Sequence, residues 1–170
     1  MGSHESDDED ARVILDSLRR IVRLLRLSST AAEQGHGLSG AQLFVLHQLS
    51  AGPAASVAEL ATRTRTDPSS VSVVVRKLVE AGLVARKASA ADARRSELRL
   101  TTRGTRLLGH APEPGQARLF AALDALPRTT RAATARGLAA LVEHMGAEDE
   151  PAPLFFESPR RRSAKKKEAT

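Results

Sequence analysis

Cysteine, tryptophan and tyrosine are all missing from this chain of 170 residues, and four phenylalanines are its whole aromatic content. Without cysteine there can be no disulfide and no thiolate metal site, and the chain is indifferent to redox. With so few aromatics it has no stacking platforms of the kind that hold single-stranded nucleic acid. No apolar run approaches the roughly 18 residues of a membrane span, and the N-terminus carries no secretion signal. A cytoplasmic location without a membrane partner is therefore expected. Catalytic signatures are lacking as well. His36, His47, His110 and His144 stand singly, without carboxylates or thiols at metal-binding spacing, and neither a glycine-rich phosphate loop nor a nucleophile elbow occurs. These absences point away from an enzyme and call for no cofactor.

What the chain does have is concentrated positive charge. Its 26 basic and 20 acidic residues leave a net +6, yet residues 63–106 alone hold eleven basic and four acidic side chains, a net +7. The remainder is therefore close to neutral. A patch of this kind attracts a polyanion and makes the affinity depend steeply on salt, because condensed counterions are released on binding.

The same segment carries the start signals of two helices. Ser56 with Glu59 three residues on forms a capping-box pattern, which predicts a helix over 57–63. Asp67 followed by Pro68 is a second start, because Asp accepts from first-turn amides and Pro at the first helical position loses no needed donor. The second helix should run from 68 to about 81, with Gly82 in the left-handed conformation that ends it. Val71, Val74, Val75 and Leu78 recur at the spacing of one apolar stripe. Ser69, Ser72, Val73 and Arg76 recur on the opposite side, flanked by Ser70 and Lys77, and this is the candidate reading face. Serine hydroxyls bond phosphates or base edges, and an arginine can donate a bidentate pair to guanine.

Residues 84–87 and 96–100 read as two strands, the second alternating polar with apolar in Glu97, Leu98, Arg99 and Leu100. They should pair as a hairpin whose tip, 88–95, is small and polar and carries Asp92, Arg94 and Arg95. Arg86 adds a basic group on the first strand. A reading helix in the major groove, with a ribbon after it reaching the neighbouring minor groove, is a way of holding double-stranded DNA.

LSGAQLFVLHQL, the two capped helices, GLVARK and the spacing of Asp92-Ala93-Arg94 from LTTRG together resemble the MarR family of winged helix-turn-helix regulators, over about residues 38–108. The resemblance implies a mainly α fold with a small β-hairpin wing and with N- and C-terminal dimerisation helices. It places a minor-groove arginine at Arg94 and a wing-orienting aspartate at Asp92. The chain departs from the family where Val73 stands in place of a common Arg, and Arg76 in place of an acidic residue. Asp-Ala-Arg replaces Asp-Arg-Arg, leaving Arg95 as a second basic contact. The resemblance further implies a transcriptional repressor acting as a homodimer on an inverted repeat, released by a small anionic aromatic effector such as an aromatic carboxylate. Arg19, Arg23, His36, Gln42 and His47 are the candidates for that pocket.

The organisation expected is an acidic flexible lead at 1–10, a dimerisation helix at 11–35, the DNA-binding region at 36–108, further dimerisation helices at 109–146 and a disordered basic tail at 147–170. Pro112 and Pro114 in GHAPEPG must stop the helix after the hairpin near Leu108. Two later helices should span 116–125 and 128–145, and Leu154-Phe155-Phe156 is a small packing anchor. A competing function is that of a sequence-indifferent architectural protein using the same basic segment and tail.

Overall fold

Where the signals are local, the helices begin and end as the capping residues dictate. The computed structural model describes residues 2–88 and 96–157. In chain order these residues form α1 (Gly2–His36), α2 (Gly40–Ser50), α3 (Val57–Thr64), α4 (Pro68–Glu80), β1 (Val84–Ala88), β2 (Ser96–Leu100), α5 (Thr102–Leu108), α6 (Gly115–Ala125) and α7 (Arg128–His144). The result is a winged helix-turn-helix flanked by terminal helices.

Asp67 caps α4 by accepting from the Ser70 amide at 2.9 Å, with Pro68 in the first turn. At its other end Gly82 is left-handed at φ 68°. The Gly82 and Leu83 amides donate back to Val79 and Leu78, each at 2.9 Å, which closes the helix in a Schellman motif. At α3 the capping box is altered. Ser56 accepts from the Glu59 amide at 3.0 Å, but the Glu59 carboxylate reaches one residue further back, to the Ala55 amide at 2.7 Å. A full capping box does occur at α2, where Ser39 and Gln42 each bond the other's backbone amide.

β1 and β2 pair antiparallel, with Val84 opposite Leu100 and Lys87 opposite Glu97. Ala54 adds a bridge to Leu98 through bonds of 3.0 and 2.7 Å, so the loop before α3 braces the root of the wing. The core gathers Phe44, Val45 and Leu46 of α2, Leu60 of α3, Val71, Val74, Val75 and Leu78 of α4, and Val84 and Leu98 of the strands. Phe120 of α6 packs edge-on against Phe44 with ring centroids 5.0 Å apart.

Two boundaries differ from the sequence expectation. α1 begins at Gly2, so the acidic residues expected to form a separate lead belong to its first turns. No proline interrupts residues 2–36, and acids near a helix N-terminus suit the positive end of the helix dipole. At the other end, residues 147–157 are not part of a free tail: Leu154 is buried in the core, and the buried Gln116 side chain donates to the Phe155 carbonyl at 2.8 Å. The helix after the wing does stop at Leu108, and the link to α6 is pinned to α1 by the Gly115 amide, which donates to Ser28 Oγ at 2.7 Å.

Candidate nucleic-acid interface

The exposed line of α4 is narrower than its sequence pattern suggests. Ser69, Ser72 and Arg76 are exposed and Lys77 is half-buried. Val73 and Ser70, assigned to the reading face from the periodicity, are buried, at 7% and 9% exposure. The reason is that α4 packs against α3, α2 and β1 together. Three neighbours cover more of a helix than one apolar stripe. A narrower surface, Ser69, Ser72 and Arg76 with Lys77 beside it, is what this helix presents.

Ser69 also has a second duty. Its hydroxyl donates to Asp67 Oδ1, so toward a ligand it can offer lone pairs but no proton. That bond, and after it the Ser70 amide, holds the Asp67 carboxyl well below the usual carboxylate range. Glu59 is likewise lowered, first by the Ala55 amide and then by Arg63. Because both folded-state values are depressed, the stabilisation of α3 and α4 by these caps is present at neutral pH. It fades only as acid protonates the two carboxylates.

The basic segment divides into two groups. Arg63 bonds the Gly52 and Pro53 carbonyls at 2.8 and 2.5 Å and pairs with Glu59. Arg99 pairs with Glu97 across 2.5 Å. Arg65 closes the turn between α3 and α4 in the left-handed conformation at φ 51°. Its guanidinium grips Asp124 of α6 at 2.7 and 2.9 Å while lying 4.7 Å from the Phe120 ring centroid. These three arginines hold the head together. Among the described residues Arg76, Lys77, Arg86, Lys87, Arg103 and Arg106 have no ion pair, and Arg86 and Lys87 stand exposed on β1. Asp92, Arg94 and Arg95 lie outside the described residues.

Sequence reasoning missed one neighbour of the reading helix. Pro151, Ala152 and Pro153 share a cleft with Asp67, Ser69 and Ser70 at its first turn. The only sequence signal was the isolated Leu-Phe-Phe triplet in a polar tail, which has no periodicity to say where it docks.

The five residues expected to form an effector pocket are not brought together. Arg19 pairs with Asp16 on the exposed side of α1 at 2.8 Å, and Gln42 is occupied by its capping box. His36 ends α1, and His47 lies on α2 with its Nδ1 buried and without a hydrogen-bond partner among the described residues. Arg23 does line a cavity of about 470 Å³ between α1 and the α5–α6 link, in the company of Arg20, Leu24, Leu27, Glu113 and Arg118. Among the described residues no group of His, Asp or Glu is placed to hold a metal ion, and no helix is long and apolar enough to cross a membrane.

A family model described as the MarR family matches residues 36–95. The HTH-type transcriptional repressor Rv2887 of Mycobacterium tuberculosis is 37% identical over 111 residues, spanning 64% of this chain and 80% of that protein. Among solved structures, the MarR family transcription regulator SP03579 superposes with a TM-score of 0.57 at 17% identity, covering 86% of this chain and 96% of that one. The transcriptional regulator BldR of Sulfolobus solfataricus gives a TM-score of 0.52 at 21% identity, with coverage of 81% and 96%. At these identities the two structures speak for the fold alone.

Proposed function

Because this chain belongs to the MarR family of transcriptional regulators, we propose that it is a homodimeric repressor that reads an inverted-repeat operator. The observation that carries this reading is the exposed line of Ser69, Ser72 and Arg76 on a helix held rigidly by its caps, beside a wing whose Arg86 and Lys87 stand exposed. In a dimer of this kind the two reading helices lie about 34 Å apart, one turn of DNA, so each enters a successive major groove. The exposed apolar residues of α1 and α7, Ile14, Ile21, Val22, Leu138, Leu141 and Val142, supply the two-fold interface.

Arg76 and Arg94 have different tasks in this reading. Arg76 donates to base edges, so Arg76→Ala should cost about 1–3 kcal/mol at particular operator positions and relax the preference there. To Arg94 the family resemblance assigns the minor-groove contact. Arg94→Ala should weaken all duplexes about equally and lower the salt slope by about 1. Arg118→Ala, on α6 and outside the reading helix and both strands, should do neither when no effector is present. Mobility shifts of the three variants on selected genomic fragments and on random duplex decide the matter. Equal binding of the parent protein to every duplex would favour a sequence-indifferent architectural role instead.

The cavity at Arg20, Arg23 and Arg118 supports an effector. Three guanidiniums against the one carboxylate of Glu113, beside Leu24 and Leu27, leave a net positive lining that suits a small aromatic carboxylate. The site joins α1 to the link below the reading head, so a ligand that prefers one head spacing would shift DNA affinity by that same preference. Thermal shift with a panel of aromatic acids should show stabilisation that Arg118→Ala removes. No shift with any member would end this part of the reading.

A further inference from the structure

Arg65 stands where the backbone does not favour its residue type. It ends α3 in the left-handed region at φ 51°, a conformation that glycine and asparagine adopt more readily. The turn itself does not need an arginine. The Arg65 amide donates to the Thr62 carbonyl at 3.2 Å and the Thr66 amide to the Ala61 carbonyl at 3.1 Å, and any residue with a backbone N–H makes those bonds. A non-glycine residue in this region costs stability and persists where its surroundings or a function require it. Here the side chain is what is held. Its Nη2 donates to both carboxylate oxygens of Asp124, at 2.7 and 2.9 Å, and the guanidinium lies 4.7 Å from the ring centroid of Phe120. Phe120 in turn packs edge-on against the buried Phe44 of α2, so the ion pair rests on an aromatic pair rooted in the core of the head.

Asp124 is placed to carry that hold beyond the head. The start of α6 is buried from Pro114 to Ala117, but past Phe120 the helix is exposed apart from the half-buried Leu123. α7 begins at Arg128, and none of its residues is buried. Arg131 Nη1 lies 3.8 Å from Asp124 Oδ1. One carboxylate therefore meets the turn before the reading helix on one side and the first turn of α7 on the other. We propose that Asp124 is a positioning residue: through Arg65 and Arg131 it fixes the angle between each reading head and α7, and with it the separation of half-sites that the dimer accepts. Small angles suffice. Over about 25 Å, the length of a 17-residue helix, a tilt of roughly 8° displaces the head by about 3.4 Å, one base-pair step. The Arg65 and Asp124 side chains are 49 and 53% exposed, so the pair adds little to stability. Its contribution is direction, which a carboxylate bonded through both oxygens supplies and a diffuse attraction of charges does not.

This role rests on the dimeric DNA-reading function proposed above, and the test separates the two. The full chain selects duplexes from a random pool, and fluorescence anisotropy then compares each selected duplex with versions whose spacer between half-sites is one base pair longer or shorter. The parent protein should favour the selected spacer. Each exposed ion pair contributes at most a few-fold and the dimer carries two, so Asp124→Asn and Arg65→Asn should each lower that preference by about three- to thirtyfold. The double variant should fall no further than either single one, because both remove the same pair. Both single variants should melt close to the parent, since Asp124 is exposed and asparagine suits the left-handed turn at position 65. The two approach the pair from opposite helices, so the folding of neither one decides the result. A spacer preference retained in both variants overturns the positioning role. So does a salt slope lowered by about 1 in Arg65→Asn with the preference intact, which would make Arg65 a phosphate contact instead. Failure of the parent to bind any duplex, or to favour any spacer, overturns the dimeric reading and this role with it.

Discussion

If the chain acts as the proposed dimer, introducing aspartate at both Leu141 and Val142 is expected to leave each chain folded but to separate the two subunits and nearly abolish binding to the proposed operator. α7 has no buried residue anywhere along Arg128–His144, and Leu138, Leu141 and Val142 are 46, 39 and 41% exposed. On α1, Ile14, Ile21 and Val22 are 51, 41 and 44% exposed. Contiguous apolar surface of this kind is uncommon on a monomer and marks a contact with a partner. Charges there cost little in the isolated chain, because these side chains are already about two-fifths exposed to water, but in a two-fold interface each would be buried without a counter-ion. Two linked reading heads bind as one unit, and loss of the link forfeits an avidity of about 10²–10⁴. Light scattering of the variant should give the mass of one chain, 18.1 kDa, with unchanged melting of the head. A variant that keeps the dimer mass, or a parent protein that is already monomeric, would refute the interface.

Gly104→Ala is expected to be the most damaging single methyl in the head. A Cβ on Gly104 would lie 2.2 Å from the Leu83 carbonyl oxygen and 3.1 Å from its carbon. That carbonyl cannot retreat easily. It accepts from the Thr101 amide at 3.0 Å, while the Leu83 amide is held by Leu78 at 2.9 Å. Thr101 is itself committed, since its hydroxyl donates to the Gly82 carbonyl at 2.8 Å and caps the Gly104 amide at 3.0 Å. So α5 must move, and with it the joint between the reading helix and the wing. Overpacking of this kind costs about 1–3 kcal/mol and sometimes more, and DNA affinity should fall further because helix and wing lose their mutual placement. Gly109→Ala is the control: its added Cβ meets only ordinary contacts at 3.5 and 3.6 Å, at φ −64°. Melting curves of the two variants should differ clearly, and similar curves would refute the argument.

Legibility tracked the range of each interaction. Ser56, Asp67, Pro68 and Gly82 announce helix ends because a cap joins residues three or four apart, and the expected bounds of α4, both strands and α5 agree with the structure to within a residue or so. Glu59 shows the limit of that rule. It does cap the helix start, yet its carboxylate takes the Ala55 amide instead of the next one. Val73 and Ser70 show a different limit, because a 3.6-residue period says which residues share a face but not how many neighbours will cover it.

Arg65 is the clearest case of a residue whose role is invisible in sequence. It belongs to a basic run and looks like a phosphate contact, but its guanidinium is engaged by Asp124, 59 positions away. The sequence alone determined α3, α4, the two strands and the later helices in their order, the concentration of positive charge and the absence of an enzyme's signatures, all of which depend on residue identity and short spacing. Only tertiary structure decided which arginines are spent on the head itself, which faces of α4 and α7 remain open, and where the chain's end is anchored. Those depend on packing between distant segments, and no local period encodes them.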